Sequence, residues 1–552
     1  MNLDLPPTDT QQPPQFADLA QCRTWQAALP LSNPVQAQAQ LLRQLHLLNR
    51  YTLTGEVRLA MLELLRESIQ FVQEESAKKF SGKPLPLAPP EQAAFDTAHA
   101  LWQAQGTGYW RCLETCRAGD AVRPPPPQLA LIIQRGLAAL ADDHVDLLRG
   151  GLQPVVGHWQ AVHRFYAVAE DLGVATEVIA DELRGTPTVT TTAAYAENIL
   201  LAAASLHELN LRQQSWGVRW ARRWAGKLRI TATPPTIELR ALPLCVDLDS
   251  DTPVGYKPFS GKGARFLDTA ALRKSIKGRI ELLARGGPDD TPARLGLGED
   301  CVQPACAEVL RRLYPRWIKG GLQRRHERQP QAGGGCRFVV GVDAIHYYVS
   351  GRASFRTPGP TKSDDLRRQR EEMAVFGRVT DRFMDEYSRN QGYQLENWAV
   401  EEDWRLHDQS SGGLRLLRPL KQSGGRLAVG QLVAVQLPGA SGLTLGMVRW
   451  AQVRGEALAA GIQLFPGKPW PVATRGTGVM AGKENYRPGF ILPAVPALEL
   501  PLTFILPPGS FKPDRILEAW APEGAQELKL KALLDRGADF ERAACEEVIR
   551  KK

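Results

Sequence analysis

The sequence predicts an α+β multidomain protein: a helical N-terminal half, a small antiparallel β-barrel with a helical insertion, and a β-rich C-terminal extension. Three observations carry that reading. Apolar residues recur at helical spacing through most of the first 226 positions. Short β-rich segments punctuated by Gly, Pro and Ser recur between Leu395 and Leu464. A polar turn, Asp408-Gln-Ser-Ser-Gly-Gly413, joins two of those segments. Amphipathic periods mark helices, and short strands at regular spacing mark a barrel.

At 552 residues the chain is long enough for three or four domains. Residues 1–18, rich in Pro and Gln, read as a disordered leader. Residues 19–226 read as a helical domain; Leu41-Leu-Arg-Gln-Leu-His-Leu-Leu48 and Val57-Arg-Leu-Ala-Met-Leu-Glu-Leu-Leu65 are strongly amphipathic, and the pattern is expected to run on through Val155–Leu183. Trp216, Trp220 and Trp224 stand four apart with Arg219, Arg222 and Arg223 among them. That spacing lines the rings along one helix face, as a core-facing stripe requires, so an aromatic-basic surface for nucleic acid is the weaker reading. Residues 227–321 read as a mixed connecting domain, with a hairpin of Leu228–Thr233 and Thr236–Leu248 and helices over 264–283 and 298–318. The barrel is expected over 322–478 and the β-rich extension over 479–552.

Charged residues make up 23% and hydrophobic residues 43% of the chain, an ordinary globular balance. The net charge of +9 attracts anions without naming one. No apolar run is long enough for a membrane span, and the opening residues are polar and acidic rather than basic-then-apolar, so the expected location is the cytoplasm. Eight cysteines lack the paired spacing of a zinc ribbon and read as reduced thiols on helices; no metal or other cofactor is expected. Asp247-Leu-Asp-Ser-Asp251 lacks the Gly and closing Glu of a calcium loop. Enzyme signatures such as a P-loop, a nucleophile elbow or a zinc-protease motif do not occur, so the chain is not expected to be an enzyme. His407 and Asp408 are adjacent on a predicted strand and are expected on opposite faces.

Four features stand in order: Asp408-x-Ser410-x-x-Gly413, the strand from Gln431, Gly446-Met-Val-Arg-Trp450, and Gly461-Ile-Gln-Leu464. This series resembles the PilZ domain. The resemblance implies a six-stranded barrel that binds the bacterial second messenger cyclic di-GMP and a role in motility, pili or biofilm. The residue types suit that ligand. Guanine N1–H and N2–H₂ donate to a carboxylate such as Asp408, and Ser410 offers a hydroxyl. Gly413 and its neighbour Gly412 allow close backbone approach, and an Arg fork matches guanine O6 and N7.

The resemblance also implies an Arg-x-x-x-Arg clamp before the barrel. Arg324 and Arg328, with Arg325 between them, precede the β-rich run Cys336–Val349 and are the favoured pair. Arg352 with Arg356, and Arg378 with Arg382, are alternatives; the last two lie in Asp364–Ser388, which has helical spacing and reads as the insertion between the first two barrel strands. The expected function is a cytoplasmic cyclic di-GMP receptor whose barrel acts on a helical output module that holds an unidentified protein partner. The competing expectation is an adaptor or scaffold whose barrel binds no nucleotide.

Overall fold

The computed structural model describes residues 5–548 apart from 118–123, 236–240, 322–328, 331–333, 358–399, 478–485, 497–498 and 522. The described chain is α+β and divides into two units, one reaching to Arg325 and the other comprising 326–552 together with Pro84–Pro86.

The first unit begins with six helices: α1 (Leu19–Ala27), α2 (Pro34–Arg50), α3 (Gly55–Ala77), α4 (Pro89–Arg117), α5 (Pro126–Arg149) and α6 (His158–Asp171). Their starts are written locally. The side chains of Asp18, Asn33 and Thr54 accept from backbone N–H groups three residues on, which satisfies donors that a helix start leaves without an intrahelical partner. A two-stranded hairpin, β1 (Val178–Asp181) and β2 (Thr186–Thr190), follows α6. The helical pattern therefore stops at Asp171 rather than running to Leu183. After α7 (Thr191–Ala204), Asn210 caps α8 (Leu211–Ala225), donors coming from Gln213 N at 3.0 Å.

The three tryptophans of α8 lie inside, each at most 1% exposed. Trp216 Nε1 donates to Asp300 Oδ2 at 2.8 Å, and Trp220 Nε1 to the Leu297 carbonyl at 2.9 Å. Trp317 packs edge-on against Trp224. The core reading of the stripe holds.

Four further expectations for this unit are corrected. Residues 5–18 are packed: Phe16 is fully buried and Asp9 N donates to the Arg50 carbonyl. The expected 227–255 hairpin is a three-stranded sheet in which β5 (Ala264–Asp268) lies between β3 (Arg229–Thr231) and β4 (Leu244–Asp247). Residues 264–268 are thus strand, and helix α9 (Ala270–Arg285) begins only after them, followed by α10 (Ala305–Ile318). Residues 227–321 also share one hydrophobic core with the preceding helices, from Phe16 to Ile318, rather than forming a domain of their own.

The second unit holds two six-stranded antiparallel barrels. In the first, β7 (Gly335–Val340), β8 (Glu401–Ser410), β9 (Gly413–Pro419), β10 (Leu432–Gln436), β11 (Thr444–Arg454) and β12 (Ala457–Leu464) close in the order β8-β7-β10-β11-β12-β9 and back to β8. The long strand β8 makes closure possible: residues 401–405 pair with β7, and residues 405–410 pair with β9. A short strand β6 (Gln329–Pro330) joins β8 beside Asp408. The expected strand Cys336–Val349 splits, because α11 (Val342–Val349) is a helix. Its Ala344 and Ile345 pack with Leu432, Leu445, Phe490 and Phe540 in a core shared by both barrels. Packing there overrides a β-branched and aromatic composition.

Inside this barrel Glu402 and Arg418 form a buried ion pair, their side chains 3% and 2% exposed. Trp404 Nε1 donates to Glu402 Oε2 at 2.9 Å, Gly425 N also donates to Glu402, and Arg418 Nη2 donates to the Gly425 carbonyl at 2.9 Å.

The second barrel runs β13 (Trp470–Gly476), β14 (Arg487–Leu492), β15 (Thr503–Leu506), β16 (Ile516–Ala521), β17 (Gly524–Arg536) and β18 (Glu541–Glu547), closed in the order β13-β14-β15-β18-β17-β16. Strand β13 belongs here, so the first barrel ends near Leu464 and not at 478. What reads as an extension is a complete barrel with its own core of Val472, Phe504, Leu517, Leu528 and Ala543.

Candidate functional site

Strands β8 and β9 meet in a two-residue turn, with Ser410 paired to Gly413. Ser410 Oγ donates to the Gly413 carbonyl at 3.3 Å, which tightens the turn. Gly413 is confined from the other side: a Cβ there would lie 3.0 Å from the Ile462 carbonyl. The polar hexapeptide is therefore a hairpin end fixed by its own side chains.

Register then builds a row across four strands. Asp408 pairs with Arg415, Arg415 with Gly461, and Gly461 with Trp450. Directly paired residues share a face. Leu414 and Leu416, on either side of Arg415, are buried, so this row lies on the outer face of the barrel. Gly461 has a packing reason to be glycine: any Cβ would overlap the Trp450 ring, which lies across it.

The electrostatics are mixed. Asp408 Oδ2 is 3.8 Å from Arg415 Nη1 and its side chain is 13% exposed. Arg415 Nε is buried with no hydrogen-bond partner among the described residues. Arg454 stacks over Trp450 at 5.3 Å and is bound to Gln452 Oε1 at 3.0 Å. Burial, then the nearby Arg415 charge, push the Arg454 guanidinium below its usual range. The face thus offers a carboxylate, two guanidiniums and an indole.

One expectation about this strand is wrong. A bulge between Leu406 and Asp408 places His407 and Asp408 together opposite Arg415, and His407 Nδ1 stands 3.1 Å from Asp408 Oδ2. A β-bulge breaks the strict alternation that had set the two on opposite faces.

The arginine candidates separate. Arg324, Arg325 and Arg328 lie outside the described residues, as do Arg378, Arg382 and the predicted helix Asp364–Ser388. The chain resumes immediately after Arg328 as β6, where Gln329 pairs with Gln409 and Pro330 with Asp408. Arg352 is instead at the opposite end of β8: it lies 3.7 Å from Glu401 and over the Tyr348 ring at 5.7 Å. Seven residues of strand, about 24 Å, separate Glu401 from Asp408. Arg356 lines a cavity with His346, Trp470 and Trp520, on the side of the second barrel. The structure brings Asp408, Ser410 and Gly413 together and leaves Arg352 and Arg356 elsewhere.

The sequence reading missed Arg415 and Arg454, and took Trp450 and Gly461 as strand markers without assigning them to the site. The available signal was the outward parity of Arg415 in Leu414-Arg-Leu, and a bulky Trp450 set against a glycine on the next strand.

Elsewhere, no described helix is long and apolar enough to cross a membrane. Among the described residues no group of three or more His, Cys, Asp or Glu could hold a metal ion. Among the described residues seven cysteines are buried and in no disulfide; Cys245, Cys336 and Cys545 are on strands rather than helices.

Comparison with known proteins adds a second line of evidence. Residues 20–236 match the family described as the N-terminal domain of the cyclic-di-GMP receptor FimW. Residues 472–547 match the FimW C-terminal β-barrel domain, which coincides with the second closed barrel. The solved structure of MrkH, titled a c-di-GMP-dependent transcription regulatory factor, aligns at 9% identity over 42% of this chain and 92% of its own, and its TM-score of 0.13 carries no argument. The cyclic-di-GMP receptor FimW of Pseudomonas aeruginosa is 25% identical over 539 residues, covering 91% of this chain and 86% of that protein. From its helical unit to its second barrel, the chain is FimW-like, similar along most of its length to a cyclic-di-GMP receptor.

Proposed function

We propose that this protein is a cyclic di-GMP receptor of the PilZ type, and that the nucleotide binds on the outer face of the first barrel at the β8–β9 hairpin. The observation that carries this reading is the register of β6: the two residues directly after Arg328, Gln329 and Pro330, pair with Gln409 and Asp408. A clamp of Arg324 and Arg328 would be joined through the chain to a strand that pairs with the one carrying Asp408. Asp408 would accept from guanine N1–H and N2–H₂, and the linker arginines would take phosphate or the guanine O6/N7 edge. Arg415 and Arg454 add positive charge for a dianionic ligand, and Trp450 adds a flat apolar surface. The ligand would engage the linker arginines at the barrel and alter its output through a protein partner in the cytoplasm, with motility, pili or biofilm as the controlled process.

The test is calorimetric titration with cyclic di-GMP. Asp408→Ala and Arg328→Ala should each weaken binding more than tenfold at an unchanged melting temperature, while Arg352→Ala binds as wild type. Leaving ligand donors without an acceptor costs about 1–3 kcal/mol. An Asp408→Ala protein that melts early yet binds normally would reduce the carboxylate to a turn cap. No binding by the intact protein at roughly 100 μM ligand, an affinity weaker than about −5.5 kcal/mol, would leave the adaptor reading in its place.

A further inference from the structure

The helical unit carries a concave groove of about 1120 Å³ between the last turns of α3 and α5, the β1–β2 connection and α8. Its floor is aliphatic: Ala77, Val145, Leu148, Leu211 and Val218. Leu211 is 44% exposed, unusual for a leucine in a helix that buries three tryptophans. Around the floor stand Lys78, Arg149, Arg212, Arg219 and Arg223, with Glu74 as the one acid of the lining.

The charge balance of that rim is uneven. Arg184 and Arg222 share Asp142 and Glu197, which hold them from behind. Arg149 pairs with Asp146, Lys78 with Glu75, and Arg219 with Asp300 at 2.6 Å. Arg212 and Arg223 differ: they donate to the Asp300 and Gly296 carbonyls at 2.6 Å each, and a carbonyl leaves the charge uncompensated. Arg223 also crowds Arg279, which is bound to the Leu295 and Ser275 carbonyls and the Ser275 hydroxyl. Positive charge therefore collects along the exposed face of α8.

We propose that this groove docks an acidic, aliphatic helical segment of a partner protein. Four features select that occupant. The volume exceeds the roughly 300–1,000 Å³ of small-molecule pockets. No aromatic ring lines the floor, so nucleobases find no stacking platform. The carbonyl ends of α3 and α5 face the groove and disfavour a bare anion deep inside. Carboxylates therefore belong at the α8 rim, with apolar side chains over the floor, which is the division of labour in a helix-in-groove complex. A planar lipid surface does not enter a concave cleft. This inference is independent of nucleotide binding at the barrel.

The test uses the full chain without cyclic di-GMP. A displayed library of random 16-residue peptides is panned on the wild-type protein, with the Arg212→Glu/Arg223→Glu protein as counter-target. Enriched peptides are then titrated by fluorescence anisotropy. The expected winners carry net negative charge and aliphatic residues at helical spacing. They lose at least tenfold in affinity with the double variant and with Leu211→Asp, and nothing with Arg285→Glu. Ser215→Glu, which places a negative charge on the same exposed face, is read alongside in case the double variant does not fold. Failure to enrich, enrichment of neutral or basic peptides, or affinity indifferent to all of these groove substitutions would overturn the proposal. So would binding of phosphatidylserine vesicles or a 30-base-pair DNA duplex that the groove substitutions abolish while no peptide is selected.

Discussion

Replacing Arg418 by Met would strip a buried carboxylate of its counter-charge inside the first barrel. Arg418 gives one hydrogen bond to Glu402 and one to the Gly425 carbonyl, and its guanidinium stands 5.1 Å from the Trp404 ring. Glu402 would keep Trp404 Nε1 and Gly425 N but lose the one guanidinium bound to it among the described residues. Removing one partner of a buried pair costs about 3–5 kcal/mol, because an uncompensated charge stays in a low-dielectric interior. Glu402→Gln in the same protein removes that charge and keeps a carbonyl acceptor for one of the two donors. The double variant should therefore recover to within about 1–2 kcal/mol of wild type, the scale of one lost hydrogen bond. Because the chain holds two compact units, the readout is local: hydrogen exchange by mass spectrometry over residues 401–419, with the change in opening free energy taken from the protection factors. A loss below about 1 kcal/mol for Arg418→Met, or a double variant no better than the single one, would refute the claim that the pair acts as a unit.

Gly461→Val should push the Trp450 ring off β12, cost about 1–3 kcal/mol by overpacking, and weaken cyclic di-GMP binding in calorimetry. Trp220→Ala should cost about 3–5 kcal/mol in urea unfolding, since a fully buried ring and its bond to Leu297 are lost together. His346, 6% exposed, has its imidazole pushed down to about 4 by burial. Folded His346 is neutral while the unfolded chain takes a proton near 6.5, so its contribution is complete above that pH and is lost as pH falls toward 4. Between pH 7 and pH 5 the wild type should lose about 2 kcal/mol more than His346→Leu, measured by denaturation at both values.

The strands from Glu401 to Leu464 were legible because alternation and Gly or Pro punctuation agree there, and each pairs mostly with a neighbour in sequence. The hairpin Asp408–Gly413 was legible for the same reason. The row Asp408–Arg415–Gly461–Trp450 was not, since pairing of β9 with β12 joins residues 38 to 50 apart and no local pattern records it. The bulge at His407 shifts the parity of a strand by one residue, and a period-two reading has no means of sensing it. Val342–Val349 carries β-branched and aromatic residues, yet becomes helix because both barrels present apolar walls to it. The second barrel looked like an extension because two of its closing ladders, β13 with β16 and β15 with β18, are long-range.

The core shared by α8 and residues 297–317 decides where the chain can be cut. Composition changes after Ala225, and a fragment ending there is the natural design for isolating the helices. Such a fragment would lack Leu297 and Asp300, which receive the indole protons of Trp220 and Trp216, and Trp317, which closes over Trp224. Three large rings would be laid open along one side of α8, a surface that invites aggregation. A fragment carried on to residue 321 keeps that cover, and it is the shorter one, not the longer, that should fail to stay in solution.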